Sequence, residues 1–213
     1  MDAITDLIAL VADRDMEYTL RGLLSRDRAL GTRPITYEVF SHPLRDPGCW
    51  TDAPSFLRPY TRQYRYALVM FDHEGSGQES RRAVDLQEEL ESRLEANGWA
   101  GGRARVIVLE PELEIWVWSD SPQVDSCLGW DRRQPDLRTW LRQRNLLGPD
   151  AFKPADPKKA LEAALREVKR PRSSAIYRQL AEQVSFSRCV DPSFNHLRAI
   201  LTEWFFYQAP RHR

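Results

Sequence analysis

Apolar runs separated by helical patterns dominate the first half of the chain. Continuous apolar runs at residues 4–12, 65–72 and 104–110 are typical of strands buried on both faces of a parallel sheet. A looser alternation at 35–40 predicts a fourth strand near a sheet edge. Because helical spacing of apolar residues separates these runs, the pattern predicts an α/β fold with a central, mainly parallel sheet flanked by helices.

Polar residues, glycines and prolines predict where these elements begin and end. Asp15 is the expected N-cap of the first helix, and Ser80 that of a helix ending before Gly98. Residues 42–59 are rich in Pro, Asp and aromatic residues, so we expect a long ordered loop that covers the sheet. The Gly75 and Gly77 pair predicts a turn with positive φ after the third strand.

After Asp120 the pattern changes from strands to helices. Residues 121–135 predict a loop. Two Asp-Pro pairs, beginning at Asp156 and Asp191, each supply an N-cap and a proline at the first helical position. The predicted helices cover about 136–147, 157–168, 174–184 and 193–207. We therefore divide the chain into an α/β core over 1–120 and a helical extension over 121–213 that packs on it.

Composition narrows the classes of partner and compartment. The chain has 213 residues with 31 basic and 31 acidic side chains, so nucleic-acid binding requires a local basic patch or a basic partner. Its three cysteines form no CxxC pair, which favours a reducing compartment and argues against a zinc site. No apolar run has the length of a membrane span. We expect a soluble cytoplasmic protein with no membrane partner.

Acidic residues follow three of the predicted strands. The three groups are Asp13 with Asp15, Asp72 with Glu74, and Glu110 with Glu112 and Glu114. If the strands are parallel, all three groups lie at one edge of the sheet, where open α/β sheets bind ligands. Carboxylates gathered there repel one another, and a divalent cation such as Mg²⁺ or Mn²⁺ keeps them ionised together. The alternative is that Asp15 only caps a helix and that Glu110 and Glu112 are solvated.

A family resemblance rests on short segments near these acids. Residues 11–18, 69–75 and 111–120, with the Glu114-x-Trp116 pattern and the order of elements, resemble the Toprim fold. More narrowly, the chain resembles an uncharacterised Toprim-like bacterial family whose members often lie beside phage-defence genes. It also resembles a component of methylation-associated defence systems.

The resemblance implies a metal site and a set of catalytic acids. Toprim enzymes include topoisomerases, primases and nucleases, and their Asp-x-Asp motif binds Mg²⁺. Here the motif is matched by Asp72-His-Glu74. The resemblance implies Asp72, Glu74 and Glu114 as metal ligands, and Asp13, Asp72 and Glu74 as catalytic residues.

One position departs from the Toprim pattern. The acid that Toprim enzymes carry after the first strand, for acid/base chemistry, falls at Ala12 of this chain. Because alanine cannot transfer a proton, this departure argues against catalytic activity more than against a Toprim fold. Asp13, at the end of the strand, is a better substitute than Glu17.

The densest basic region lies in the second half of the chain. Lys153, Lys158 and Lys159 are the best candidates for phosphate or nucleic-acid contacts, although such residues usually form a solvated helix face. We expect Trp116 and Trp118 to pack in the protein rather than to stack on bases.

Two classes of function follow. The first is a metal-dependent phosphodiesterase or nuclease of a bacterial anti-phage defence system, acting on DNA or RNA with other defence proteins as partners. The alternative is a catalytically inactive Toprim-like subunit that binds protein partners or nucleic acid within a defence complex. An aspartyl-phosphatase mechanism is less favoured, because Glu74 stands where that chemistry uses Asp.

Overall fold

Four parallel strands form the central sheet in the computed structural model, which describes residues 4–206. They are β1 (Thr5–Val11), β2 (Tyr37–Ser41), β3 (Tyr64–Asp72) and β4 (Ala104–Leu109), in the order β2-β1-β3-β4. Every pair of neighbours is parallel. The predicted α/β class, the four strands and the parallel sheet are confirmed.

The strand order creates a crevice at the carboxyl edge of the sheet. From β1 the chain first adds β2 on one side and later β3 on the other, so the direction of winding reverses between β1 and β3. In open α/β sheets, ligands bind outside the carboxyl ends of the strands at such a reversal. Val11 pairs with Met70, and Asp72 pairs with Leu109, so β1, β3 and β4 end close together at this edge.

The stretch predicted as a long loop is helical, and that prediction was wrong. The helices of the first half are α1 (Arg14–Leu24), α2 (Asp27–Leu30), α3 (Arg45–Leu57) and α4 (Ala83–Ala96). Helix α3 contains Pro54 but buries an apolar stripe of Cys49, Trp50, Ala53 and Leu57. Burial of this apolar stripe stabilises the helix by more than its proline and glycine residues destabilise it.

Two predicted caps are also wrong. The carboxylate of Asp13, not Asp15, accepts the Met16 N–H at 3.0 Å and caps α1. Helix α4 begins after Arg82, so Ser80 lies outside it. In the turn before α4, the Glu79 carboxylate accepts the N–H groups of Gly75 and Gly77. Both glycines have positive φ, as predicted.

Five α-helices and one 3₁₀ helix, Phe186–Arg188, make up the described second half. The α-helices are α5 (Gln123–Leu128), α6 (Leu137–Gln143), α7 (Pro157–Glu167), α8 (Ser174–Gln183) and α9 (Pro192–Phe205). The predicted loop at 121–135 therefore contains α5, and α6 is shorter than the predicted helix at 136–147. Helix α5 is brief because Gly129, in the left-handed conformation, ends it. Both Asp-Pro caps form as predicted, and the last predicted helical residue, 207, lies outside the described residues.

The helical half packs directly on the sheet and its helices. Helix α8 lies against α1 so closely that a Cβ at Gly22 would be 2.8 Å from the Cβ of Ala181. On α9, Trp204 stacks on Tyr66 of β3 with 4.5 Å between ring centroids. Phe205 packs edge-on against the same tyrosine ring. The buried residues of both halves form one hydrophobic core.

Two further predictions concern thiols and membranes. Cys49, Cys127 and Cys189 are all buried free thiols. Over residues 4–206, no helix combines the length and apolarity needed to cross a membrane.

Candidate metal centre

Asp72 is the acid around which the candidate site is arranged. It is the last residue of β3, and its side chain is partly buried. Its backbone N–H donates to Asp46 Oδ1 at 2.8 Å, and its own Oδ1 accepts the Leu113 N–H at 2.8 Å. These two bonds hold the carboxylate between the start of α3 and the segment that follows β4.

Three acids come together around this point. One oxygen each of Asp72, Glu112 and Glu114 lie within 4.8 Å of one another, so the three can share one metal ion. Glu112 is in extended conformation just before a 3₁₀ helix, Leu113–Trp116, that contains Glu114. Both glutamates are buried, with 5% and 2% exposure. The alternative that Glu112 is a solvated residue is wrong, because the 3₁₀ helix turns the segment inward.

Asp13 and Glu74 lie at the same edge but outside this group of three. Both line an open cleft of about 590 Å³ together with Asp72 and Glu112. Glu74 is exposed in the turn after β3, where its N–H donates to Pro111 O at 2.9 Å. Strand β3 therefore ends at Asp72, and Glu74 lines the cleft from the exposed turn that follows.

The first-strand position has no ionisable group. Ala12 is buried, and its N–H donates to Met70 O at 3.1 Å. Asp13 uses Oδ1 to cap α1 while its side chain lines the cleft. Glu17 is paired with Arg21 at 2.9 Å and is not part of the cleft lining. Of these two acids, only Asp13 lines the cleft.

The electrostatic environment makes Asp72 hard to ionise. Burial, followed by the neighbouring charges of Asp46, Glu114, Asp13 and Glu112, raises the pKa of Asp72 well above its ordinary value. Burial and the same crowding raise the pKa of Asp46 and of Glu112. A divalent cation would relieve this repulsion, and three carboxylates are the hard oxygen ligands that Mg²⁺ and Mn²⁺ prefer. The residues present therefore fit such a metal ion.

Glu112 and Glu114 are each paired with a basic side chain of the same chain. Lys158 Nζ lies 3.2 Å from Glu112 Oε2, and the Lys158 N–H donates to Oε1 at 3.1 Å. Arg172 Nη2 lies 2.8 Å from Glu114 Oε1, and the Tyr177 hydroxyl donates to the same oxygen at 2.6 Å. Burial and the adjacent Glu114 raise the pKa of Tyr177, so the hydroxyl remains a donor.

The three lysines predicted to contact phosphate occupy different places. Lys158 and Lys159 line the cleft, on the first turn of α7. Lys153 lies outside the cleft lining, in an ion pair with Asp191 at 2.7 Å. The Asp191 carboxylate also caps α9, so this lysine has a structural partner.

The two tryptophans are buried and pack within the protein. The indole N–H of Trp116 donates to Ser193 Oγ at 2.8 Å, and the ring packs edge-on against Phe194. The indole N–H of Trp118 donates to Pro157 O at 3.0 Å. Neither ring is placed to stack on a base.

Three contributors to the site, Asp46, Arg172 and Tyr177, were not predicted from sequence as partners of these acids. Asp46 was assigned to a loop, whereas Glu112 was already counted among the acids at this edge of the sheet. Asp46 is 26 positions from Asp72, and Tyr177 is 63 positions from Glu114. Only the tertiary fold brings them together, and no local pattern marks them.

Comparison with other proteins adds no relative. No protein-family model, curated protein or solved structure matches the chain. The fold and the acidic group at its carboxyl edge are therefore the basis for the function.

Proposed function

We propose that the chain is a divalent-cation-dependent phosphodiesterase or nuclease related to the Toprim enzymes it resembles. The observation that carries this proposal is the group of Asp72, Glu112 and Glu114, whose oxygens lie within 4.8 Å of one another. The group lies at the carboxyl edge of the sheet, and its Asp72 ends β3, one of the two strands between which the winding reverses and beside which open α/β sheets bind ligands. Two lysines line the adjoining cleft, as phosphate binding requires.

Each acid has a distinct place in this scheme. Asp72, Glu112 and Glu114 would hold the cation, and Glu74 would complete the site from the turn after β3. Held by these acids, Mg²⁺ or Mn²⁺ would supply Lewis-acid chemistry towards a phosphoryl group. Asp13 takes the acid/base role that Ala12 cannot fill.

The substrate class follows from the charges along the cleft. Lys158 and Lys159 can contact the phosphates of DNA or RNA without reading their sequence. Since the formal net charge of the chain is +0, long-range attraction to nucleic acid has to come from this local pair or from a partner. Other proteins of a phage-defence system are the partners that the family resemblance favours.

A catalytically inactive subunit is the second candidate function. Ala12 stands at the position of the Toprim acid, and both buried glutamates already have internal cationic partners. In this scheme the cleft binds protein partners or nucleic acid within a defence complex but cleaves nothing.

Metal binding separates the two candidates. Titration of the purified chain with Mn²⁺ and Mg²⁺ by calorimetry should show one site, lost in Asp72→Ala. Glu110→Gln is the matched control, because Glu110 is an exposed acid of the same segment that lies outside the cleft lining. DNA and RNA cleavage should then be assayed with the chain alone and with neighbouring gene products. An absence of both binding and cleavage would favour the inactive subunit.

A further inference from the structure

Arg172 joins four elements beside the candidate metal centre. It lies in the segment between α7 and α8, and its side chain is 29% exposed. Nη2 is 2.9 Å from Asp15 Oδ2 and 2.8 Å from Glu114 Oε1, while Nη1 is 3.3 Å from Glu162 Oε1. The guanidinium also lies over the ring of Tyr177, 5.5 Å from its centroid. One cation thus contacts acids from α1, α7 and the 3₁₀ helix.

Two of these contacts link Arg172 to the proposed metal site. Glu114 belongs to the group of three acids whose oxygens can share a metal ion. Glu162 lines the cleft beside Asp72 and Glu112. A divalent cation held by Glu114 would therefore be a close neighbour of the guanidinium. Like charges at such short range repel strongly when partly shielded from water.

We propose that Arg172 is a resident counter-cation of this centre, which competes with the divalent cation for Glu114 and so sets the metal affinity. The inference rests on the proposed metal site. The multiple contacts favour arginine, whose planar guanidinium presents several donors at fixed angles. If a metal ion displaces it from Glu114, the guanidinium still has Asp15 and Glu162 as acidic partners.

The neighbouring Arg170 provides a matched control. It lies two residues earlier in the same segment but donates to Cys127 O and Gln179 Oε1. Arg170→Gln therefore removes one positive charge from the segment without touching the acidic group. Arg172→Lys keeps the charge beside Glu114 and tests whether charge, rather than shape, matters.

The experiment is calorimetric titration of the full chain with Mn²⁺. Arg172→Gln should bind about tenfold more tightly than wild type, because one repelling charge is removed. Arg172→Lys and Arg170→Gln should stay within about twofold of wild type, since both leave a cation beside Glu114. Thermal melting verifies folding, and Arg172→Met, which keeps an unbranched stem over Tyr177, replaces the glutamine variant if that variant does not fold.

The outcomes separate this inference from the proposed function. Binding by wild type that Arg172→Gln leaves unchanged or weakens overturns the competition and leaves the metal site standing. Absence of binding in wild type and in every variant overturns both proposals. Binding by Arg172→Gln but not by wild type supports the competition, and it favours the inactive subunit as the native function.

Discussion

Two aspartates at opposite edges of the sheet have opposite environments. Asp6, near the start of β1, accepts two bonds from Arg33 at 2.6 and 2.8 Å and two from Thr36 at 3.0 and 3.1 Å. Asp72, at the end of β3, accepts one backbone N–H and has four acidic neighbours. Hydrogen bonds from Arg33 lower the pKa of Asp6 to about 2, whereas burial and like charge raise that of Asp72.

The difference distinguishes a structural acid from a candidate functional one. The chain itself supplies every partner that Asp6 needs, so its charge stabilises the fold. Within residues 4–206 no basic side chain is paired with Asp72. Its charged neighbours are instead the four acids Asp13, Asp46, Glu112 and Glu114. Strongly perturbed acids in a cleft are typical of functional sites. At the carboxyl edge, Asp72, Glu112 and Glu114 are close enough together to share a metal ion.

The largest predicted effect is a difference in cleavage rate between variants of the two aspartates. Asp72→Asn should lower metal-dependent cleavage by roughly a thousandfold or more, because one ligand of the charge-stabilising metal is lost. Asp6→Asn should cleave normally below its melting temperature. Rates on labelled DNA and RNA with Mg²⁺ and Mn²⁺ measure both. Normal cleavage by Asp72→Asn would place the active site elsewhere.

Stability should respond in the reverse order. Arg33→Ala leaves Asp6 buried without its cation and should destabilise the fold by about 2 kcal/mol, less than for a fully buried pair because Arg33 is partly exposed. Asp72→Asn should instead stabilise the metal-free protein by about 1 kcal/mol, since repulsion is relieved. Urea denaturation in EDTA gives both values. Destabilisation by Asp72→Asn would show that its charge supports the fold.

The pH dependence of stability should also differ in sign. The folded-state pKa of Asp6, about 2, is below its ordinary value of 3.8. Its contribution, about 1 kcal/mol after solvent screening, is present above pH 4 and lost as the pH falls towards 2. Because the folded-state pKa of Asp72 is raised, its carboxyl favours folding at low pH and opposes it as the pH rises.

Denaturation of wild type, Asp6→Asn and Asp72→Asn from pH 3 to pH 8 in EDTA tests these signs. The advantage of wild type over Asp6→Asn should shrink in acid, and the advantage of Asp72→Asn over wild type should grow with pH. Parallel stability curves for the three proteins would contradict both assignments.

The smallest predicted effect applies the same distinction to lysines. Lys159→Ala, in the cleft, should raise KM for nucleic acid about threefold and reduce the salt dependence of binding by about one ion. Lys153→Ala breaks an ion pair with Asp191 and should lower stability while leaving KM unchanged. Cleavage rates at several DNA concentrations give KM, and fluorescence anisotropy with single-stranded DNA at several salt concentrations gives the salt dependence of binding. Equal effects on DNA binding would remove the distinction.

The sheet was predictable because strands buried on both faces carry uninterrupted apolar runs. Helix α3 was not, because Pro47, Gly48 and Pro54 favour a loop locally. Tertiary packing explains Gly48, where a Cβ would lie 2.0 Å from His42 Nδ1. The apolar stripe that fixes the helix is apparent only once β1 and β3 are in place against it.

The site was predictable only where acids directly follow strands. Asp72, Glu112 and Glu114 were identified in this way, and all three belong to the clustered group. Asp46 enters through a helix in a stretch predicted as a loop, and the burial of Glu112 by the turn that follows β4 was not predicted. Arg172 reaches the site from a segment 58 positions beyond Glu114. Such contacts depend on tertiary packing, for which one sequence carries no local signal.

Anomalous diffraction from a crystal soaked in Mn²⁺ tests the central claim most directly. The account predicts one strong peak coordinated by carboxylate oxygens of Asp72, Glu112 and Glu114, with Mg²⁺ replacing it at about 2.0–2.1 Å. A native crystal without Mn²⁺ is the control. Ordered Mn²⁺ elsewhere in the crystal with no density among these three acids would contradict the account.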